Sequence, residues 1–276
     1  MIDAQTLLYG VIGNPVKHSL SPIIHNAAFE RMGFNAAYLA FEVNDLIGTL
    51  NGIRGLGISG VSVTIPFKTQ VIPLLDQVED IARKIQAVNT IKNEEGRLVG
   101  YNTDWCGAVE ALGEKVDLKG KKVLLLGAGG SARAIGFGLK EKGSQVIISN
   151  RSSDKANELA KNLGFVCKPL LSMSELEFDV IINATTVGMS PHHAESPLPK
   201  IFLKEGVVVM DIVYQPLKTK LLQEAEERGC RTIDGLEMLV HQGMAQIEIW
   251  TGRRPDIGQI KEGLRSVLDK EIRGER

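Results

Sequence analysis

Two groups of residues in this chain have the types and spacing for chemistry on a small molecule. The first is the turn Gly127-Ala128-Gly129-Gly130-Ser131-Ala132, entered from the apolar run Val123 to Leu126 and leaving into a small-residue helical stretch, Ser131 to Lys142. Glycines between a strand and a helix let backbone N–H groups approach a pyrophosphate at the positive end of the helix. Ala132 stands where a small residue still permits close helix–strand packing. A second apolar run, Gln145 to Ser149, ends at Asn150-Arg151, with Lys155 four residues further on. Selection for NAD calls for Asp or Glu there, to hold the ribose 2′-hydroxyl. Asn150, Arg151 and Lys155 suit a 2′-phosphate instead, so the pattern predicts NADP as cofactor.

The second group lies mostly in the first hundred residues. Gly13 to Pro22 supplies Ser19 and Ser21, two hydroxyls able to bind a carboxylate near a helix N-terminus. The local alternative makes Ser21 a plain N-cap and Ser19 a solvated loop residue. In Val63-Thr64-Ile65-Pro66-Phe67-Lys68 the proline ends a strand and leaves Thr64 and Lys68 near the rim of a sheet. A lone lysine is ordinarily a solvated cation. Paired with Asp104, from Asn102-Thr103-Asp104 at an expected domain junction, it can exchange protons with a hydroxyl while hydride moves to nicotinamide. Asn89 either fixes a neighbouring hydroxyl or serves as a turn residue. The histidines, His18, His25, His192, His193 and His241, form no zinc-binding pattern such as HExxH, so no metal is expected. A GxSxG nucleophile turn is also absent, and Tyr and Lys form no YxxxK pair around a Rossmann helix, which leaves the lysine to handle protons.

Elements able to position these residues alternate along the chain. The pattern predicts strands over Leu7 to Ile12, Tyr38 to Val43 and Gly60 to Ile65. Helices are expected from Ser21, as N-cap, to Met32, over Asn44 to Leu56, Lys68 to Leu75 and Val78 to Lys84. Thr90 to Asn93 and Arg97 to Tyr101 form a hairpin, and Asn102 to Leu118 a connecting helix with its flanks. After Asn150, helices are expected over Asp154 to Leu163, Leu217 to Arg228, Gly235 to Trp250 and Asp256 to Ile272, with strands over Asp179 to Asn183 and Val207 to Ile212. In the last helix Ile257, Ile260, Leu264, Val267, Leu268 and Ile272 make an apolar stripe suited to core packing. Such alternation predicts an α/β protein with mostly parallel sheets. The nucleotide unit takes residues 103–235; 1–102 and 236–276 form an α/β substrate domain to which the C-terminal helices return.

Composition narrows the function classes. With 276 residues, 43% hydrophobic, 24% charged and a net charge of −1, the chain lacks the basic excess of a nucleic-acid binder. Three scattered cysteines, Cys106, Cys167 and Cys230, predict no disulfide framework and a reducing cytoplasm. No export signal and no run of roughly 18 apolar residues is seen, so no membrane is expected. The expected partner is a small-molecule substrate, handled by a monomer or homodimer.

The motifs taken together resemble shikimate dehydrogenase over nearly the whole chain. The resemblance rests on Gly13-Asn14-Pro15, Lys17 to Pro22, Val63 to Lys68, Ala87 to Thr90, Gly100 to Asp104, Gly127 to Ala132, Asn150-Arg151, Asn183-Ala184-Thr185, Asp211 to Pro216, and Asp234-Gly235 through Gln242. It implies an N-terminal α/β substrate-binding domain, a Rossmann NADP-binding domain and reversible reduction of 3-dehydroshikimate to shikimate, a step toward chorismate and the aromatic amino acids. By position it implies that Ser19, Ser21 and Tyr214 hold the substrate carboxylate, and that Thr64, Asn89 and Gln242 contact ring hydroxyls. Lys68 becomes the acid/base, with Asp104 beside it. Gly127, Ala128, Gly129, Gly130 and Ser131 would meet the pyrophosphate, and Asn150, Arg151 and Lys155 the 2′-phosphate. Ile212, Gly235 and Met238 would lie near the nicotinamide, and Asp80 near the cofactor. Two alternatives stay open: a quinate/shikimate dehydrogenase of broader specificity, and a non-catalytic NADP sensor.

Overall fold

The computed structural model describes residues 2–173, 175–191, 193–258, 260–261 and 264. By internal contacts the chain divides into two units, one running to Thr103 and resuming at Val240, the other spanning Asp104–Leu239.

The first unit contains β1 (Leu7–Gly13), α1 (Ser21–Arg31), β2 (Ala36–Glu42), α2 (Leu46–Gly55), β3 (Gly60–Val63), β4 (Gln77–Val78), α3 (Asp80–Ile85), β5 (Thr90–Glu94) and β6 (Arg97–Tyr101). Its six-stranded sheet runs β2-β1-β3-β5-β6-β4. β1 is parallel to β2 and β3, whereas β5 is antiparallel to both β3 and β6. The sheet is therefore mixed, where mostly parallel pairing was expected. Part of the cause is local: the two-residue loop Glu95-Gly96 has φ of 54° and 91°, the positive pair that turns β6 back along β5, while the antiparallel pairing of β5 with β3 is made across the chain. Asn93 Oδ1 accepts from Gly96 N–H at 2.7 Å and holds the turn. One face of the sheet builds a core from Ile12, Val61, Val63, Ile91 and Leu98 with Leu50 and Ile53 of α2.

In the second unit lie α4 (Asp104–Gly113), β7 (Lys122–Leu126), α5 (Gly130–Glu141), β8 (Gln145–Ser149), α6 (Ser153–Leu163), β9 (Val166–Cys167), β10 (Val180–Asn183), β11 (Val208–Asp211), α7 (Lys220–Glu227), β12 (Arg231–Ile233) and the start of α8 (Gly235–Thr251). Six parallel strands follow the order β12-β11-β10-β7-β8-β9. This is the doubly wound arrangement of a Rossmann domain, whose strand order reverses between β7 and β10. Helices cover both faces of such a sheet, which explains the nearly unbroken apolar runs of β7 and β10. Leu124, Leu126, Ile181 and Val209 pack with Leu221 and Leu222 of α7.

Three local expectations change. Leu20, not Ser21, stands at the N-cap of α1, with helical dihedrals and no side-chain cap; Ser21 and Pro22 belong to the first turn. Lys68 to Leu75 forms turns and a short 3₁₀ segment, Ile72–Leu74, because Pro73 withholds an N–H donor from an α-helical ladder. The connecting helix is shorter than its expected span, closing at Gly113. Of the C-terminal stripe, Ile260 and Leu264 are buried, while Val267, Leu268 and Ile272 lie outside the described residues. Among the described residues no helix is long and apolar enough to cross a membrane.

Candidate active site

In the second unit, β7 ends in a turn whose shape is fixed by its glycines. Gly127 has φ of 118°, and a Cβ there would sit 2.8 Å from the carbonyl oxygen of Ala184. Only glycine meets both conditions. At Gly129, which caps α5, an added Cβ would meet nothing within 4 Å. Packing requires glycine at the first position and leaves open space at the second. With no side-chain cap, the N-terminal donors of α5 and its dipole fit an anionic pyrophosphate. Gly138 lets α4 approach α5: a Cβ there would come within 3.0 Å of the Trp105 carbonyl oxygen.

Ser149 ends β8 beside this turn, its carbonyl accepting from Gly127 N–H at 2.8 Å. Asn150 follows, its Nδ2 donating to the Ser152 carbonyl at 3.1 Å. Arg151 and Lys155 are exposed at the entry and first turn of α6. Arg133 of α5 pairs with Glu158 of α6 at 2.7 Å, and Arg133 first, Lys155 last, hold the Glu158 carboxyl below its ordinary range. Exposed cations after the second strand fit a 2′-phosphate, which an acidic residue there would repel.

The neighbouring strand ends are tied by a buried carboxylate. Asp211 accepts from Thr219 Oγ1 at 2.7 Å, Asn183 Nδ2 at 2.9 Å and Val213 N–H at 3.0 Å. Burial outweighs these bonds and pushes its pKa up to about 6. Asn183 in turn accepts from Thr185 Oγ1 at 2.7 Å. Ile212 and half-buried Tyr214 follow Asp211 directly. Gly235 packs so closely on Ile212 that a Cβ would lie 2.5 Å from the Ile212 carbonyl oxygen. Met238, one turn further along α8, is buried.

In the first unit, Asn14 N–H donates to the Ile65 carbonyl at 3.0 Å, so the loops after β1 and β3 lie side by side. Ser19 Oγ accepts from Ser21 N–H at 3.2 Å. Thr64 and Lys68 are half-buried, and the Lys68 carbonyl accepts from Val88 N–H at 2.8 Å. This brings the lysine's backbone against the segment that carries Asn89. Asn89 is buried and fully engaged. Its Oδ1 accepts from Thr103 N–H at 2.7 Å, and its Nδ2 donates to Thr103 Oγ1 at 2.9 Å and to Gln242 Oε1 at 3.2 Å. Asp104, buried, is the next residue after Thr103.

Ser19, Ser21, Thr64, Lys68, Asn89 and Gln242 thus belong to adjoining segments of one unit. Asp80 does not join them: it is exposed in the first turn of α3 and pairs with Arg83 at 3.3 Å. Sequence reading gave no role to His25, Ser62 or Gln246, which prove to be buried and hydrogen-bonded beneath these segments. The available signal was period: His25 and Gln246 lie four residues beyond Ser21 and Gln242, on the same helix faces.

Comparison with known proteins decides the family. Residues 11–91 match the shikimate dehydrogenase substrate binding domain, 110–213 the shikimate / quinate 5-dehydrogenase model and 235–265 the shikimate 5′-dehydrogenase C-terminal domain. The chain belongs to the shikimate dehydrogenase family. It is 47% identical over 267 residues to the NADP(+) shikimate dehydrogenase of Thermococcus kodakarensis, covering 95% of this chain and 97% of the relative. The crystal structure of shikimate dehydrogenase from Aquifex aeolicus superposes with a TM-score of 0.91 at 42% identity, over 96% of this chain and 100% of that one. That of Thermus thermophilus, in complex with NADP(H) and shikimate, gives 0.88 at 39% identity, over 95% and 99%.

Proposed function

We infer that the protein catalyses the reversible, NADP-linked reduction of 3-dehydroshikimate to shikimate. The observation that carries this reading is family likeness along nearly the whole chain, joined to a cationic Asn150-Arg151-Lys155 segment after the second Rossmann strand. NADPH, when bound, supplies the hydride.

The remaining work falls to the chain. Ser19 and Ser21, with Tyr214, hold the substrate carboxylate, while Thr64, Asn89 and Gln242 orient ring hydroxyls. As a ketone becomes an alcohol, charge develops on its oxygen. Lys68 stabilises that oxygen and delivers a proton from Nζ, and Asp104 orients the hydroxyls beside it. Gly127 to Ser131 hold the pyrophosphate, Asn150, Arg151 and Lys155 the 2′-phosphate. Ile212, Gly235 and Met238 shape the nicotinamide's surroundings; Asp80 is the member of this set that the geometry supports least. Three cysteines in no disulfide, Cys106, Cys167 and Cys230, support a cytoplasmic enzyme.

Absorbance at the reduced-nicotinamide band, with shikimate or quinate and NADP or NAD, tests the reading. Shikimate with NADP should be the fastest of the four pairs. Equal turnover of quinate would favour the broader dehydrogenase, which the shikimate / quinate model name keeps in view. Silence in all four would leave a cofactor-binding sensor.

A further inference from the structure

Beneath the proposed substrate contacts of the first unit lies a second, wholly buried polar layer centred on Gln246. Its side chain is 1% exposed. Gln246 Nε2 donates to the Asn89 carbonyl at 3.0 Å and to Thr90 Oγ1 at 2.9 Å. Its Oε1 accepts from Ser62 Oγ at 2.7 Å, and Ser62 Oγ accepts from Tyr38 OH at 2.6 Å. The same Oε1 lies 3.2 Å from His25 Nε2, while His25 Nδ1 donates to the Ser21 carbonyl at 2.8 Å. The His25 ring stacks on Tyr38 with centroids 4.1 Å apart. Because the Asn89 carbonyl can only accept, the amide's orientation is fixed.

Four members of this layer sit within one helical turn in sequence of a residue of the layer above. His25 is one helical turn beyond Ser21, and Gln246 one turn beyond Gln242. Ser62 precedes Thr64 by two on the way out of β3, and Thr90 adjoins Asn89. One carboxamide on α8 therefore bonds β3 and β5 together and packs against His25 of α1, four elements distant in sequence.

We propose that Gln246 is a positioning residue, whose carboxamide locks the segments carrying Ser21, Thr64, Asn89 and Gln242 into the register that binds substrate, without itself touching substrate. This rests on those four residues being substrate contacts, as argued above. A buried hydrogen-bonded network holds rotamers and backbone together, and binding residues held in place beforehand lose less freedom when the ligand arrives.

Gln246→Leu keeps the bulk and removes the bonds. It should raise KM for shikimate by about tenfold or more, with a smaller change in kcat and NADP affinity kept within about twofold, since the Asn89 carbonyl keeps only its bond from Val63 N–H and the buried Ser62 hydroxyl loses its acceptor. Ser62→Ala, a milder cut in the same layer, should raise that KM by about threefold. Asn89→Ala, run alongside, tests the underlying assignment. If Asn89→Ala raises KM for shikimate while Gln246→Leu and Ser62→Ala melt lower but leave it within twofold, the layer is structural only and the proposal falls alone. An unchanged KM in Asn89→Ala would overturn the substrate-site reading and the proposal with it. Should Gln246→Leu not fold, Ser62→Ala decides by itself: an unaltered KM refutes the proposal, a raised one with NADP affinity intact sustains it.

Discussion

The two units each bury a polar knot near strand ends, but with opposite electrostatics. In the first, the knot is neutral: Gln246, Ser62, Tyr38 and Thr90 exchange hydrogen bonds, and His25 Nδ1 donates to the Ser21 carbonyl. Burial, outweighing the bonds to Ser21 and Gln246, holds the His25 pKa at about 4, so the ring carries no charge near neutrality. In the second, three donors converge on the Asp211 carboxylate, and burial still pushes its pKa up to about 6. Both knots pin loops to strand ends. The neutral one does so at constant energy through the neutral range, whereas the charged one carries a desolvation cost that rises as the carboxyl ionises.

The proposed site divides its tasks along the same line, with Lys68 of the first unit handling protons and Arg151 of the second selecting cofactor, and the largest predicted effect probes that division. Lys68→Ala should lower turnover about 100-fold or more, the usual contribution of general acid–base catalysis. NADP affinity, measured by quenching or calorimetry, should barely change. A variant that loses NADP binding instead would break the separation of tasks, and one with full turnover would remove the lysine from the mechanism.

The electrostatic contrast itself is tested by pH. His25 has a folded pKa below its ordinary 6.5, so its contribution is complete above about 6.5 and is lost as pH falls through about 4. Asp211 has a folded pKa above its ordinary 3.8, so its contribution is complete below that value and is lost as pH rises through about 6. Each is worth up to about 3 kcal/mol. The chain's two tryptophans allow separate readings, because Trp105 belongs to the second unit and Trp250 to the first. Urea unfolding of Trp105→Phe, read at Trp250, should show the first unit weakening between pH 7 and 4. Unfolding of Trp250→Phe, read at Trp105, should show the Asp211 contribution moving the other way. His25→Phe and Asp211→Asn should each flatten only their own unit's slope, relative to the parent. Slopes of the same sign in both units would end the contrast.

How much of this was legible beforehand depended on whether a feature is local. The turn Gly127 to Ala132 and the cations after Ser149 are read from adjacent residues, because strand, turn, helix and phosphate recognition occupy one short stretch. The hairpin was visible at Glu94-Glu95-Gly96, yet its effect on the sheet was not: placing β5 antiparallel to β3 is a pairing across the chain. Lys68 to Leu75 looked helical by composition, but Pro73 removed a donor that the pattern does not count. β9, with two residues, and β12, with three, exist because neighbouring strands offer them partners, not because their residues insist on extension. The Gln246 layer was hidden for the same reason, since its bonds reach 157 residues back to Asn89 and 221 back to His25.

The smallest predicted effect sharpens the comparison on the cofactor side. Arg151 is exposed, and its proposed role is selection between two cofactors that differ by one phosphate, not fold stability. Losing one charge-assisted contact costs about 1.5–3 kcal/mol, which corresponds to a rise of about 10- to 150-fold in KM for NADP relative to NAD. Solvent screening places the expected value toward the lower end of that range. Arg151→Ala should therefore narrow the NADP preference while leaving KM for shikimate and both pH slopes unchanged. Salt gives an independent check: raising ionic strength should erode the parent enzyme's preference, and erode it less in the variant, because the screened interaction is already gone. A preference that survives both the substitution and the salt would place phosphate recognition elsewhere, with Asn150 and Lys155 or with the uncapped start of α5.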